Sequence, residues 1–487
     1  MQITSSYSVE IRKQGLCFRK TFEVYRSAAA YLIPVFDSVW EELEETGSAK
    51  RRFNAAEHLV HNTKKNTARF DFDLRFPKMP SYLRRAAIQF ALGTVSSYRT
   101  RLEAWKKEAP FQGEGGRDAS GKTAKGRPVL QAGNRAMPVF YHDVMYKAGE
   151  AGSDQAKLKL FDGHDWVWKE VRLKHTDMEY LRRHWCGKEA SAPALEKRHR
   201  KYFLRFTYTE EADLPDRPAA EQTVCAVDLG INTDAVCSIM RSDGTVPARK
   251  FISFPGEKDH LKHVLGRIRR SQREHGSANA GSFWAYAVRL NEELSKKTAS
   301  AIVSFAAEHG ADVIVFEYLE MKGKIRGSRK QRLHMWRKRD VQKRCTHLAH
   351  RKGMRVSRVC AWNTSALAFD GSGKVERSAE NHNLCRFSTG KQYNCDLSAS
   401  YNIGARYFIR ELIKPLPETA RSLLEAKVPA VKRRSSCVYA DLLKLPGAMK
   451  LYPGNPGPHK CRQMTTDYLR CGSFAVSGRK NARFRAS

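Results

Sequence analysis

Negative charge is what this sequence is short of. Its 487 residues hold 51 Asp and Glu against 87 Lys and Arg, a formal net charge of +36. A chain so one-sided repels itself unless a polyanion shares its structure, so nucleic acid is the expected partner. Composition alone leaves a basic ribosome-associated or heparin-like binder open. The sequence also has no apolar run near the roughly 18 residues that a membrane-spanning helix needs. The opening MQITSSYSVEIRKQG lacks an apolar h-region, so no secretory signal is expected and a prokaryotic cytoplasmic location is. The eleven cysteines form no Cys-x-x-Cys pair and read as reduced thiols. There is no internal repeat. With 41% hydrophobic and 10% aromatic residues the chain is not a wholly disordered polyelectrolyte.

Length suggests about three domains. Residues 1–220 read as a small β unit interrupted by a helical insert: strand-like through residues 1–26, helical over 27–130, then strands again over 131–220. In the insert, Ser81 can cap a helix that follows Pro80, with Ile88, Ala91, Leu92, Val95, Leu102 and Trp105 along one face. Arg84, Arg99, Arg101, Lys106 and Lys107 lie opposite, solvated or facing phosphates. A Gly-rich break spans 111–127. Beyond it VFYHDVMYKAG, a hairpin around Asp162-Gly163 and KYFLRFTYTEE read as strands.

Residues 221–413 differ in character. TVCAVDLGINTDAVCSIMRSDGTVPARKFISF supplies three strands with turns at Gly230-Ile231-Asn232 and Ser242-Asp243-Gly244. A long helix closed by Gly310 follows, then ADVIVFEYLEM, an apolar run suited to a strand buried on both faces. This is the opening order of an RNase H-like α/β fold. DLSASYNIGARYFIREL reads as an amphipathic helix with Asp396 at its start. Residues 414–487 form a basic tail with one helix candidate, PETARSLLEAKV, and are expected to order fully only against a partner.

Three acids stand out in this region. Asp228 sits inside the apolar VCAVDLG, where a lone carboxylate is costly unless paired or bound to a cation. Glu317 ends VIVFEYL in the same way, and Asp396 opens a helix. Each has a plain alternative: a turn Asp before glycine, a sheet-edge Glu paired with arginine, and a helix cap. Together, two buried strands and one helix start can bring three carboxylates to one point. Clustered carboxylates need divalent cations between them, and an all-oxygen site suits Mg²⁺ or Mn²⁺. Two such ions, about 3.5–4 Å apart, support phosphodiester hydrolysis.

AVDLGINTDAV, IVFEYLEMKGK and CDLSASYNIGARYF, in that order, resemble the three RuvC motifs of the transposon-encoded RNA-guided nucleases called TnpB and of the compact type V CRISPR effectors related to them. VCAWNTSALAF resembles the V-x-x-x-x-T-S stretch of the same family. The likeness covers residues 221–413. It implies a RuvC-like nuclease domain preceded by an oligonucleotide-binding-like β wedge with an inserted helical recognition lobe. It also implies RNA-guided DNA endonuclease activity, with a guide RNA pairing to double- or single-stranded target DNA. Asp228, Glu317 and Asp396 become the metal-binding catalytic residues, holding two Mg²⁺ ions.

The sequence departs from the family in two places. Where a four-cysteine zinc ribbon is usual, in the insert near 364–395, only Cys385 and Cys395 remain. Adding Cys360 and His382 gives an irregular set, so the insert is expected to fold without zinc. The third motif carries Ser398 and Ser400 where Asn and Ala are usual. A guided DNA-binding regulator without cleavage, and an unguided RNase H-like recombinase or junction nuclease, stay open as alternatives.

Between Lys322 and Arg355 stand fourteen Lys or Arg and one acid, Asp340. Lys324, Arg326, Arg329, Lys330, Arg337, Lys338, Arg339, Lys343 and Arg344 are expected to contact phosphates of a guide–target duplex. Arg267, Arg269 and Arg270, in GRIRRSQR, form a second such stretch.

Overall fold

The protein, in a computed structural model, is described for residues 1–450 except 13–14, 109–125, 132, 134, 151, 277–279, 319–336, 379–380, 382 and 434–435. It divides into two compact units, residues 2–211 and residues 212 onward.

The first unit opens with β1 (Gln2–Arg12), followed by α1 (Leu16–Ser38), α2 (Trp40–Glu44), α3 (Ala49–Val60), α4 (Phe72–Arg75) and α5 (Ser81–Glu108). Next come β2 (Tyr146–Ala148), β3 (Gln155–Phe161), β4 (Trp166–Leu173), α6 (His175–Trp185), β5 (Ala190–Arg198) and β6 (Lys201–Glu211). The six strands form one sheet in the order β2-β3-β4-β1-β6-β5. The helix begins at Leu16, inside the stretch read as strand-like. Phe18, Phe22, Tyr25, Ala29, Leu32 and Phe36 are buried at three- and four-residue steps, a helical period that CFRKTFEV conceals when read as alternation. VFYHDVMYKAG yields only the three-residue β2, because the chain turns at Asp143 with a left-handed φ of 62°.

Helix α5 buries Ile88, Ala91, Leu92, Val95 and Leu102, as its period requires. Its expected basic face is different. Arg84 is buried between Glu57 and Asp73, 3.9 and 3.8 Å away, and Arg99 Nε donates to Asp37 at 2.7 Å. Those two cations serve packing within the unit.

The second unit begins with β7 (Thr223–Asp228), β8 (Ala235–Arg241) and β9 (Ala248–Ile252), then α7 (Pro255–His275), α8 (Gly281–Glu308), β10 (Val313–Tyr318), α9 (Lys338–Arg351) and β11 (Arg355–Cys360). A small sheet follows, β12 (Glu376–Arg377), β13 (Leu384–Arg386) and β14 (Gln392–Asn394). After it come α10 (Cys395–Ile413), α11 (Glu418–Lys427) and α12 (Tyr439–Lys450). The main sheet runs β11-β10-β7-β8-β9. β7, β8 and β9 pair antiparallel, whereas β10 lies parallel to both β7 and β11. Three linked strands, then helix, then a buried parallel strand, is the order expected of the sequence.

The continuous apolar run of β7 serves two cores. Cys225 and Val227 join Ile302, Phe316 and Cys345 on one face, and Val224 and Ala226 join Ile403 and Phe408 of α10 on the other. Helix α10 approaches so closely that a Cβ placed on Gly404 would lie 3.1 Å from Ala226 Cβ and press into buried Met240. Gly404→Val should therefore strain this face by roughly 1–3 kcal/mol and lower the thermal midpoint of unfolding. An unchanged midpoint would show that the helix is not held this close.

Candidate active site

The parallel pairing of β10 with β7 matches Phe316 with Val227, so Glu317 and Asp228 follow side by side at the same end of adjacent central strands. Both are buried, with 8% of each exposed. Asp396 arrives from the first turn of α10 and is half-buried. Gly230, just past β7, leaves room for it: a Cβ at that position would stand 3.7 Å from Asp396 Oδ2 and would clash with the Thr233 carbonyl oxygen.

The three acids share one electrostatic environment. Burial pushes the Asp228 carboxyl well above the usual range, and the charges of Glu317 and Asp396 push it further. Glu317 is raised by burial, opposed by a hydrogen bond from Thr364 and by the charges of Arg406 and Lys338. Asp396 is raised by burial, opposed by Arg377 and by a hydrogen bond with the Thr233 side chain. Among the described residues none of the three acids forms an ion pair. No three acidic, histidine or cysteine side chains there are already closed around a point that could hold a metal. The acids stand near one another without closing on one point, as mutual repulsion of like charges requires. Their donor set, three carboxylates, is of the all-oxygen kind that suits a hard divalent ion such as Mg²⁺.

Asp396 has no capping duty. The N-cap of α10 is Asn394, whose Oδ1 accepts from Leu397 N at 2.9 Å. That leaves the Asp396 side chain for the pocket. The positioning partners are mostly residues to which the sequence reading gave no role. Thr364 Oγ1 donates to Glu317 Oε1, and Gln342 Nε2 donates to the Glu317 carbonyl at 2.9 Å. Asn402 Nδ2 holds the Thr364 carbonyl at 3.0 Å. Buried Arg406 donates to the carbonyls of Cys360, Trp362 and Cys437. Thr364 and Arg406 stand in the motif phrases, but nothing in their spacing shows what they bind. Arg377, on β12 of the insert, has no sequence signal at all. Ser400 Oγ pairs with Ser238 Oγ at 2.6 Å, while Ser398 Oγ is buried without a hydrogen-bond partner.

The insert's cysteines are separated by their surroundings. Cys385 and Cys395 are buried with Ala368 and Phe387, and Cys360 is exposed. Burial and the Cys395 thiol push Cys385 up to about 12. His382 lies outside the described residues.

The expected phosphate contacts sort into three groups. Lys324, Arg326, Arg329 and Lys330 lie outside the described residues. Arg267, Arg270, Arg339 and Lys343 are exposed, with Arg267 stacked 5.0 Å over Phe283. The others are engaged: Arg337 with Glu292 at 3.0 Å and Arg344 with Asp340 at 2.9 Å. Lys338 is buried beside Glu317, not on an open face, and burial lowers its pKa. Arg269, Arg337 and Lys338 line one cavity of ≈ 600 Å³ that also borders Gly230, Asn232, Lys258 and Lys262. Lys258 pins the loop after β7 through the carbonyls of Ile231 and Asn232 and through Asp234 at 2.9 Å.

Residues 4–162 match the model of the Aq_aa04 family, a third of the chain. No curated protein matches the chain. Several solved structures are similar to this chain at low identity. One is the Cas12f1-sgRNA-target DNA complex, at 12% identity over 83% of this chain and 99% of that chain, with a TM-score of 0.42. Another is the mini-RNA-guided endonuclease CRISPR-Cas_phi3, at 13% identity over 85% and 93%, with a TM-score of 0.45. CasPhi-2 (Cas12j) bound to crRNA has 10% identity over 84% and 98%, and a TM-score of 0.44. At such scores the likeness does not assign an activity. No helix among the described residues is long and apolar enough to cross a membrane.

Holding a buried carboxylate here beside two other acids costs stability. In chelator at neutral pH, Asp228→Asn should raise stability by on the order of 1 kcal/mol, because it removes a buried acid from beside two others. Asn394→Ala should lower stability by about 1 kcal/mol through the lost cap. Calorimetry of the two variants checks both signs, and a destabilised Asp228→Asn would mean that the charge is compensated in the protein.

Proposed function

We propose that this chain is an RNA-guided DNA endonuclease whose RuvC-like site is built from Asp228, Glu317 and Asp396. The observation that carries the reading is the approach of Glu317 and Asp396 to buried Asp228, whose carboxyl their charges raise, at the end of two parallel central strands and one helix start. A strongly basic protein that keeps an acidic pocket at its core strands is suited to drawing in a polyanion and gathering cations at one point of it. The motif likeness to TnpB and the compact type V effectors supports the guided form of the activity. We further propose that residues 1–220 form the β wedge and helical lobe of such proteins.

Asp228, Glu317 and Asp396 would hold Mg²⁺, which when bound activates water and steadies the leaving oxygen of a phosphodiester. The protein's own part is positional. Thr364 and Gln342 fix the Glu317 side chain and carbonyl, and the Gly230 turn with Thr233 fixes Asp396. Arg339, Lys343, Arg267 and Arg270 offer exposed cations for phosphate contact, which carries affinity without sequence information. The guide would select sequence by base pairing.

The test is to sequence the RNA that co-purifies with the full chain and then supply matching DNA with Mg²⁺. Wild type should cleave it. Asp228→Asn should lose cleavage by at least about a thousandfold while its RNA and target affinities stay within about twofold. A protein that binds guided DNA but cleaves none would be a guided regulator. Random co-purifying fragments would remove guidance from the reading. Replacing Arg339, Lys343 and Arg270 together should weaken DNA binding and reduce the slope of log K against log salt by about 2–3. An unchanged slope would take these cations off the nucleic-acid path.

A further inference from the structure

The turn after β11 buries one side chain and exposes another two residues away. Thr364 faces inward, its hydroxyl on Glu317. Trp362, two residues earlier, is 67% exposed, the most of any large apolar side chain described in the second unit. Asn363 between them reverses the chain with a left-handed φ of 57°, a conformation that Asn tolerates better than most residues. This turn is held firmly. Arg406 Nη1 donates to the carbonyls of Cys360 and Trp362 at 2.8 Å each, and Asn402 holds Thr364. Arg406 and Asn402 are buried and stand on α10, the helix that brings Asp396. An indole is thus presented to solvent on backbone fixed by the same helix that completes the carboxylate pocket.

We infer that Trp362 is a stacking platform for an unpaired nucleobase of the strand whose phosphate enters that pocket. This rests on the nuclease reading above and names the form of its substrate. Two residues of chain span at most about 7 Å, so the Trp362 backbone stands within about one nucleotide's length of the Thr364 backbone, whose side chain touches Glu317. A base is the flat aromatic group that arrives already joined to a phosphate, and stacking accepts every base alike. Inside a duplex both faces of a base are covered by its neighbours, so an open indole favours a single strand. Trp362 is a positioning residue: it orients the strand and touches no reacting atom.

The experiment uses the full chain with its co-purified RNA and single-stranded DNA carrying 5-iododeoxyuridine. Ultraviolet cross-linking followed by peptide mapping should place the adduct on the peptide that contains Trp362. Trp362→Ala should lose the adduct and raise KM for single-stranded DNA about tenfold, with kcat changing less; Trp362→Phe should restore KM to within about threefold. Removing the stacked base from the substrate should cost wild type a similar factor and cost Trp362→Ala nothing more, a non-additivity that a merely structural role would not produce. Adducts mapping elsewhere, with Trp362→Ala unchanged on intact and abasic strands, would overturn the platform even where Asp228→Asn abolishes cleavage. Adducts at Trp362 in a chain that never cleaves would sink the nuclease reading and keep the platform.

Discussion

Buried Asp228 is destabilised by the charges of Glu317 and Asp396, yet the second unit holds all three acids near one another. Adjacent parallel strands leave Glu317 no choice of neighbour, because the register that buries Val315 and Phe316 also sets it beside Asp228. The repulsion cannot be relieved by local movement without giving up apolar burial on both faces of the sheet. A site held against its own electrostatics in this way is the kind of stability cost expected where chemistry needs the charges.

Helix α10 is the element that closes the arrangement. Its first turn brings Asp396, its middle carries Asn402 and Arg406 to the turn after β11, and Gly404 lets its backbone rest on β7 and β8. The hydrogen bonds from Arg406 bind the carbonyls on either side of Ala361, so the Thr364 hydroxyl meets Glu317 without a search through loop conformations. Ordering cost is thereby met during folding, before any substrate arrives.

The order of strands and helix along the second unit, and the places of the three acids on it, were legible because each depends on a local pattern: a charge at the end of a continuous apolar run, or an acid at the start of an amphipathic helix. The positioning contacts were not. Thr364 to Glu317, and Arg377 towards Asp228 and Asp396, join residues far apart in the chain, and no spacing rule encodes such pairs. Charge runs misled in a specific way. Arg84, Arg99 and Lys338 looked like members of solvated or phosphate-facing stripes, but the fold buries Arg84 and Lys338 and ties Arg99 to Asp37. Sequence shows how many cations there are and not which of them the core consumes. The helix starting at Leu16 was missed for another reason. Phe18, Phe22 and Tyr25 fit a helical face, but the Lys and Arg between them also satisfy alternation over so short a window.

Asn394 resolves the one acid whose plain explanation was strongest. An aspartate at a helix start normally needs no further account, since it satisfies amide donors and the helix dipole. Here a neighbouring asparagine already accepts from Leu397 N, so Asp396 is not needed as the cap and serves the helix only through its dipole. Its nearest compensations are Thr233 and Arg377, one a neutral hydroxyl and the other an exposed side chain from the insert. Neither removes the burial cost that raises its pKa. A helix that needed only a cap would keep Asn394 and tolerate a neutral residue at 396, so the burial that raises Asp396 is a cost the cap does not explain.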